Sequence, residues 1–376
     1  MTVERDIAGF AFPFAAGIAL AAVFFNGIFS IHPAAILPTL CLWGISLGIL
    51  LNDCRHRLNV SALWIFIMIL ALTSGMLAGA AGACLSISET PENGAVSQIA
   101  HMFYEGLRHS IASIPFQSGT ASSIVTALIT GDKSALSSQT VQAFRVSGAS
   151  HILALSGLHL GIIYAIVRLC LSCLGNSPRA KVLRSLSAIL ICAFYSIATG
   201  ASPSIIRALI FIIAAETATL TGRHKSIRQI LFASLIIQLS LNPSDIKSIG
   251  FQLSYAAMFA IAYIFPPLER LWPKPESNSR GFNMTIKGLR WIWNCAAMSI
   301  SCQIATAPLA LYHFGTFPKY FLLTNIIALP LVGIIIPSSI AVITLHTIGI
   351  CPDMMIRATE YLIVLMNESL EIIASM

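Results

Sequence analysis

This sequence is poor in charge: 22 Lys and Arg and 15 Asp and Glu make up 10% of 376 residues, against 56% apolar residues. The mean hydropathy is +0.83. A water-soluble domain of this length needs far more polarity to cover its exterior, so that class is excluded. No cleaved leader is expected either. The first apolar run, Ile7 to Phe25, is not followed by a small-residue cleavage site and a soluble domain, so a retained span is expected. Cysteine occurs nine times without a metal-binding pattern. Cys41, Cys84, Cys192, Cys295 and Cys302 sit in or at the ends of apolar runs, where Cys packs as a small hydrophobe. The C-x-x-C of Cys170 and Cys173 has no second pair or histidine close by, so no metal and no cofactor is expected. No G-x-S-x-G elbow surrounds Ser156, and no internal repeat is found.

What the chain does have is a series of runs free of Asp, Glu, Lys and Arg. They extend over Ile7 to Phe25, Ala34 to Leu51, Val60 to Leu85, His151 to Val167, Ser185 to Ile206, Ala208 to Ala215 with its continuation, Gln229 to Leu241, Ser248 to Phe265, Trp291 to Leu311 and Phe321 to Leu345. A helix needs roughly 20 apolar residues to cross a ~30 Å hydrocarbon core while satisfying its own backbone. The expected fold is therefore an all-α polytopic membrane protein with about ten transmembrane helices and amphipathic interfacial helices. The expected divisions are 1–85 as N-terminal spans, 86–150 as an extracytoplasmic segment, 151–350 as a helical bundle and 351–376 as an amphipathic C-terminal helix.

Two segments read as two-faced surface helices. In the last, Arg357, Glu360, Asn367, Glu368 and Glu371 fall on one side. In Ser97 to Ile114, Ile99, Met102, Phe103, Leu107, Ile111 and Ile114 oppose Gln98, His101, Glu105, Arg108 and His109. Every second connection is basic, namely Asn52 to Asn59, Leu174 to Arg184, Gly222 to Arg228 and Pro266 to Arg290, while the intervening ones hold two lysines. Positive residues are retained on the cytoplasmic side, so both termini are expected inside. The net charge of +7 is then largely a topogenic signal rather than a nucleic-acid footprint.

Polar groups inside spans cost free energy unless they pair or line a wet cavity. Here they cluster at one end of five spans: His151, Ser156 and His159; Ser202, Ser204 and Arg207; Gln252, Ser254 and Tyr255; Thr306 and His313; Thr324 and Asn325. Placed at one depth, they suggest a shared polar vestibule open to the outside. The competing reading is that they hydrogen-bond across helices and hold the bundle together. Phe251, Tyr255, Tyr312 and Phe314 near its mouth fit base stacking, and fit helix or lipid packing better. Pro203 fits a first helical position, and Pro330 and Pro337 fit a kinked or broken span or a kink with no role. Glu216, nine residues after Arg207 and so ~13 Å further along the axis, fits a proton-coupling role and fits pairing with a neighbouring polar group better.

The stretch Thr130 to Gly161, TGDKSALSSQTVQAFRVSGASHILALSGLHLG, resembles the hallmark of the ComEC competence family of bacterial inner-membrane proteins. ASPSIIRA at Ala201 to Ala208, NPSDIKSIGFQLSYAA at Asn242 to Ala257, and QIATAPLALYHFG at Gln303 to Gly315 with Asn325 and Pro330 are similar to the family's later motifs, in the same order. The resemblance implies a channel that carries single-stranded DNA into the cytoplasm, with the lipid bilayer, a separate nuclease or DNA-receptor protein and a cytoplasmic translocation motor as partners. Family members commonly add an inserted soluble domain and a metallo-β-lactamase-like domain. Ser86 to Ile114 is too short for the first, and no H-x-H-x-D-H cluster follows the last span, so no enzyme activity is expected. Under this reading Arg207 is the best phosphate contact, with His151, His159, Ser202, Ser204, Gln252 and Asn325 as neutral or titratable donors. The alternatives are an intramembrane hydrolase with Ser156 as nucleophile and His159 or His151 as base, and a small-molecule transporter.

Overall fold

The computed structural model describes residues 2–27, 39–46, 60–85, 95–175, 177–222, 226–272, 280–315 and 317–376, and its regular elements there are all helical. The chain forms two compact units, one from 1–92 with 222–252 and one from 93–221 with 253–376.

The first unit is built on α1 (Thr2–Gly27) and α3 (Val60–Leu85), with α2 (residues 39–46) and α11 (Ile227–Leu241) beside them. Glycine sets how closely α1 and α3 approach. A methyl built on Gly17 would stand 2.0 Å from the Leu72 carbonyl oxygen, and one on Gly75 would stand 2.0 Å from that of Phe14. Lipid-soluble helices gain little from burial against each other, so this backbone-to-backbone packing of small residues is what joins them. Trp43 on α2 donates to Ser74 Oγ at 2.9 Å, and Phe12 meets Phe232 of α11 edge-on at 5.4 Å. After α11 a 3₁₀ turn, Pro243–Lys247, is tied by Asp245, which accepts from Gln238 at 2.9 Å and Asn242 at 2.8 Å.

In the second unit α4 (Ala95–Ala112) leads to α5 (Gly119–Thr130), α6 (Ser138–Ser147) and the single turn α7 (Ser150–Leu153). There follow α8 (Gly157–Cys170), α9 (Pro178–Ala198) and α10 (Pro203–Thr221). The chain re-enters through α12 (Ile249–Phe259), whose π-helical extension Ala260–Ile264 leads to α13 (Phe265–Arg270), and ends with α14 (Arg280–Phe314), α15 (Phe321–Ile348) and α16 (Asp353–Ser375). Pro266 and Pro267 offer no N–H to the turn before them, and the helical ladder widens there. The core centres on α5. Its Ile124, Val125 and Leu128 pack with Phe144 of α6, Ile152 of α7, Ile335 and Ile336 of α15, and Ile363, Met366 and Leu370 of α16. A helix apolar on all sides belongs in such a core. A second cluster, Leu160, Cys192, Tyr195, Ile205 and Ile212, joins α8, α9 and α10, and Tyr195 donates to the Ile129 carbonyl at 2.7 Å.

Six helices among the described residues are long and apolar enough to cross a membrane, namely 157–174, 178–198, 203–221, 249–270, 288–314 and 321–348. Shorter apolar helices cover Ile7–Ala22, Ile67–Gly79, Gly119–Thr130 and Ile227–Leu241. The chain is an all-α polytopic membrane protein. The span expected over Ala34 to Leu51 is described only at 39–46, and the basic loop Asn52 to Asn59 lies outside the described residues.

Several expectations are corrected. The fourth span opens at Gly157 rather than His151, because α7 ends at Leu153 and the chain is extended at Ala154 (φ −87°, ψ 130°) and at the cap Ser156 (φ −125°, ψ 170°). α15 is not broken but stays helical through Pro330 and Pro337, which leaves a kink as the reading for these prolines. In α16 the apolar face of Ile356, Ile363, Met366 and Leu370 is buried and Arg357 and Glu368 of the polar stripe are exposed, but Glu360 and Asn367 of that stripe are buried as well. The reason is local. Glu360 accepts the backbone N–H of Ser118, which precedes α5, at 2.5 Å, and this acceptor serves a helix start inside the core. In α4, which is two-faced as expected, Ile111 is buried and Ile99, Met102 and Phe103 are exposed, Phe103 meeting Phe194 of α9 edge-on at 5.1 Å.

Candidate functional site

The polar cluster is assembled where two helices begin. Before α10 the chain turns through Gly200 (φ 83°) and Ala201 (φ 47°), and the Ala201 amide donates to the Ser196 carbonyl at 2.8 Å. The left-handed region is unfavourable for a residue with a Cβ, so Ala201 stores strain in this turn. The Ser202 carbonyl then accepts from Ile205 and Ile206, and Pro203 takes the first helical position as expected, where its missing N–H is not needed. One turn on, Arg207 is 7% exposed. Its guanidinium lies over the Tyr255 ring, 5.8 Å from the centroid, and its Nη1 has no hydrogen-bond partner among the described residues.

α8 meets this cation with its first residue. A methyl on Gly157 would lie 3.3 Å from Arg207 Nη2 and 3.4 Å from Ala208 Cβ. The helix start is held by Ser156 and His159: the Ser156 amide donates to His159 Nδ1 at 3.3 Å, and Ser156 Oγ lies 2.9 Å from the same nitrogen. An amide N–H can only donate, so Nδ1 is an acceptor, Oγ–H donates to it as well, and the neutral ring carries its hydrogen on Nε2. That Nε2 is buried, on a residue 1% exposed, with no partner among the described residues.

Further down α8 and α10 a buried carboxylate is enclosed. Glu216, 1% exposed, accepts from Tyr164 through Oε1 and from Ser185 Oγ at 2.6 Å through Oε2, with Arg168 Nη1 3.7 Å from Oε2. The pairing expected for Glu216 is present. Its partners Tyr164, Arg168 and Ser185 were not singled out from sequence. The legible signal was the i, i+4 spacing of Tyr164 and Arg168, which puts both on one face of α8.

The structure brings Ser156, His159, Arg207 and Tyr255 together around Gly157. Ser202 and Asn325 each contribute a buried oxygen without a hydrogen-bond partner among the described residues, from the start of α10 and from α15. Ser204 and Ser254 are half-buried on α10 and α12. Others are engaged elsewhere. His151 is exposed and its Nδ1 lies 3.1 Å from the Gly148 carbonyl oxygen, because α7 ends before α8 starts. Thr306 donates back to Cys302 O at 2.8 Å, which satisfies its hydroxyl within its own helix. Thr324 donates to Ser147 O at 2.8 Å, tying α15 to α6. His313 packs edge-on to Tyr312 at 5.0 Å. Gln252 belongs to the first unit, where it donates to Ile246 O at 2.9 Å. Of the four aromatics, Phe251 and Tyr255 are buried, whereas Tyr312 and Phe314 are exposed.

The loop joining α5 to α6 carries the Thr130-Gly131-Asp132 segment. Asp132 accepts the Ser134 amide at 2.8 Å and faces Arg108 at 3.8 Å. Hydrogen bonds from Ser134, side chain and then backbone, and next the Arg108 charge hold its carboxyl below the ordinary value of 3.8. Among the described residues no group of three or more His, Cys, Asp or Glu side chains is placed to hold a metal ion.

A family model described as Competence protein matches residues 128–376. ComE operon protein 3 of Bacillus subtilis (strain 168) is 28% identical over 227 residues, 60% of this chain and 27% of the relative. The chain thus spans about a quarter of that relative's length. No solved structure matches it.

Proposed function

The chain belongs to the competence protein family, matched over residues 128–376, and from that premise we propose that it is a conduit for single-stranded DNA entering the cytoplasm during DNA uptake. The observation that supports this reading is found among the buried polar atoms without hydrogen-bond partners in the described residues: the donors His159 Nε2, Ser202 Oγ and Arg207 Nη1, with the amide oxygen of Asn325 as an acceptor. All four lie in the matched region, on or at the start of α8, α10 and α15. Polar groups that merely tie a bundle together spend their donors and acceptors on each other, as Tyr164, Ser185 and Glu216 do. A path for a polyanion needs donors left available, and one fixed cation rather than a ring of them lets the strand move on.

In this reading the chain sits in the bacterial inner membrane with both termini cytoplasmic, and its work is transport rather than catalysis. DNA contacts come from His159, Ser202, Ser204, Arg207, Ser254 and Asn325, with Tyr255 fixing the cation. A separate nuclease or DNA-receptor protein and a cytoplasmic motor complete the pathway. The Ser156–His159 bond is also the geometry a hydrolase would use. Against that reading, Nδ1 already accepts the Ser156 amide as a helix cap, and no carboxylate orients Nε2 among the described residues.

The test is uptake of labelled DNA in a cell lacking its own channel protein, with a nuclease partner supplied. Label protected from external nuclease is expected with the wild-type chain, and a severe loss with Arg207→Gln at equal membrane level. Failure of the wild-type chain to restore uptake would remove the DNA reading. Loss confined to Ser156→Ala, with Arg207→Gln harmless, would favour the hydrolase instead.

A further inference from the structure

We propose that the first turn of α8 and the Arg207 guanidinium form an oxyanion-binding station that holds one phosphodiester of the strand; this deepens the DNA-conduit reading and rests on it. The donors belong to the first turn of α8 and to the guanidinium beside its first residue, each for a separate reason. The amides of Gly157 and Leu158 open a helix of 14 residues, and no turn precedes them to supply an intrahelical acceptor. The aligned peptide dipoles of that helix favour negative charge at the same end. His159, in the same turn, is fixed by the Ser156 amide in the tautomer that carries hydrogen on Nε2, and that nitrogen is buried without a partner among the described residues. Arg207 adds the formal charge, with Nη1 likewise buried and unpartnered there.

Two further features read as construction of the station. Gly157 keeps the approach open: with any larger residue, Cβ would stand 3.3 Å from Arg207 Nη2, and the guanidinium would have to retreat from the helix start. Tyr255 supports the guanidinium through its ring face, which orients the cation without consuming an N–H. The nearest carboxylate on α10, Glu216, lies ~13 Å along the helix axis by residue count and is already enclosed by Tyr164, Ser185 and Arg168. The station therefore offers one positive charge with neutral donors around it, a match for the single negative charge of a phosphodiester.

The test uses the full chain purified in lipid nanodiscs and three probes: inorganic phosphate, the oligonucleotide dT12, and dT12 with a neutral methylphosphonate backbone. Wild type is expected to bind dT12 at least about tenfold more tightly than its methylphosphonate form, the scale of a charge-assisted hydrogen bond. Phosphate should raise its melting temperature above that in chloride at matched ionic strength. Arg207→Gln should lose both effects, and Gly157→Ala, which keeps every donor but displaces the guanidinium, should weaken both; monodisperse size-exclusion profiles exclude misfolding as the cause. Tight dT12 binding that discriminates equally well in wild type, Arg207→Gln and Gly157→Ala overturns the station and leaves the conduit standing. A phosphate effect that needs Arg207, without dT12 binding, upholds an oxyanion station and removes DNA as its ligand. No response of the wild type to either phosphate or dT12 overturns both.

Discussion

Removing Arg168 should cost more than removing the charge it neutralises. Glu216 is 1% exposed, whereas 32% of the Arg168 side chain is exposed. Arg168→Leu strands a carboxylate in the interior, and breaking a buried pair from one side costs about 3–5 kcal/mol. The lower end, about 3 kcal/mol, applies here because Tyr164 and Ser185 remain as donors. Glu216→Gln leaves Arg168 able to reach water and keeps an acceptor for one donor, so about 1–2 kcal/mol is expected. Tyr164→Phe and Ser185→Ala remove hydrogen bonds only, worth about 0.6–1.7 kcal/mol each inside membrane proteins. The double variant Arg168→Leu/Glu216→Leu removes both charges and should cost roughly 2 kcal/mol less than the sum of Arg168→Leu and Glu216→Leu. The assay is a double-mutant cycle on the purified chain, unfolded with sodium dodecyl sulfate and followed by circular dichroism. Equal costs for Arg168→Leu and Glu216→Gln, with strict additivity in the Leu/Leu cycle, would refute the argument that a buried charge dominates this network.

Ala201→Gly should stabilise the chain by about 1 kcal/mol in the same assay by relieving a left-handed alanine, whereas a conformation without strain would make the change neutral or unfavourable. Gly75→Val places side-chain atoms where Cβ alone is 2.0 Å from Phe14 O, so α1 and α3 must separate and the yield of monodisperse protein should collapse; a normal yield would contradict the packing. Because the Asp132 carboxyl titrates below its ordinary value of 3.8, its contribution to stability is complete above that value and fades as pH falls through the folded value. Melting temperatures measured from about pH 5 to about pH 3 should therefore fall less steeply for Asp132→Asn than for wild type, and parallel curves would show that Ser134 and Arg108 do not matter. Reporter fusions at Gly175 and Asn242 should report opposite compartments, and agreement would contradict the orientation inferred from the basic loops.

The membrane class and the positions of most spans were legible because a charge-free run long enough to cross a bilayer has few other uses. Where expectation failed, a specific hydrogen bond, local or tertiary, was at work. The residues around His151 and His159 form one charge-free run, yet the helix stops at Leu153 and restarts behind Ser156, whose amide caps it on His159, and charge counting is blind to a cap. The terminal helix has a polar stripe, but a stripe does not say whether it faces water or a buried acceptor-seeking group such as the Ser118 amide. Arg207 and Glu216 stood out because ionised residues in apolar runs are rare. Their partners Gly157, Tyr164 and Ser185 are ordinary in such runs, and only tertiary contact sets them apart. α5 was overlooked for a related reason: at 12 residues it is too short to span a bilayer, and it is instead the helix around which the second unit packs.

The central claim is that a DNA strand passes along the polar groups of α8, α10 and α15, and photo-crosslinking during uptake tests it most directly. A photoreactive residue replaces Ser204, half-buried one turn before Ala208, or Leu190, which is 66% exposed on the side of α9. Radiolabelled DNA entering through the chain should be captured from position 204 and not from 190. Capture from 190 alone, or equally from both, while uptake proceeds normally, would contradict the path.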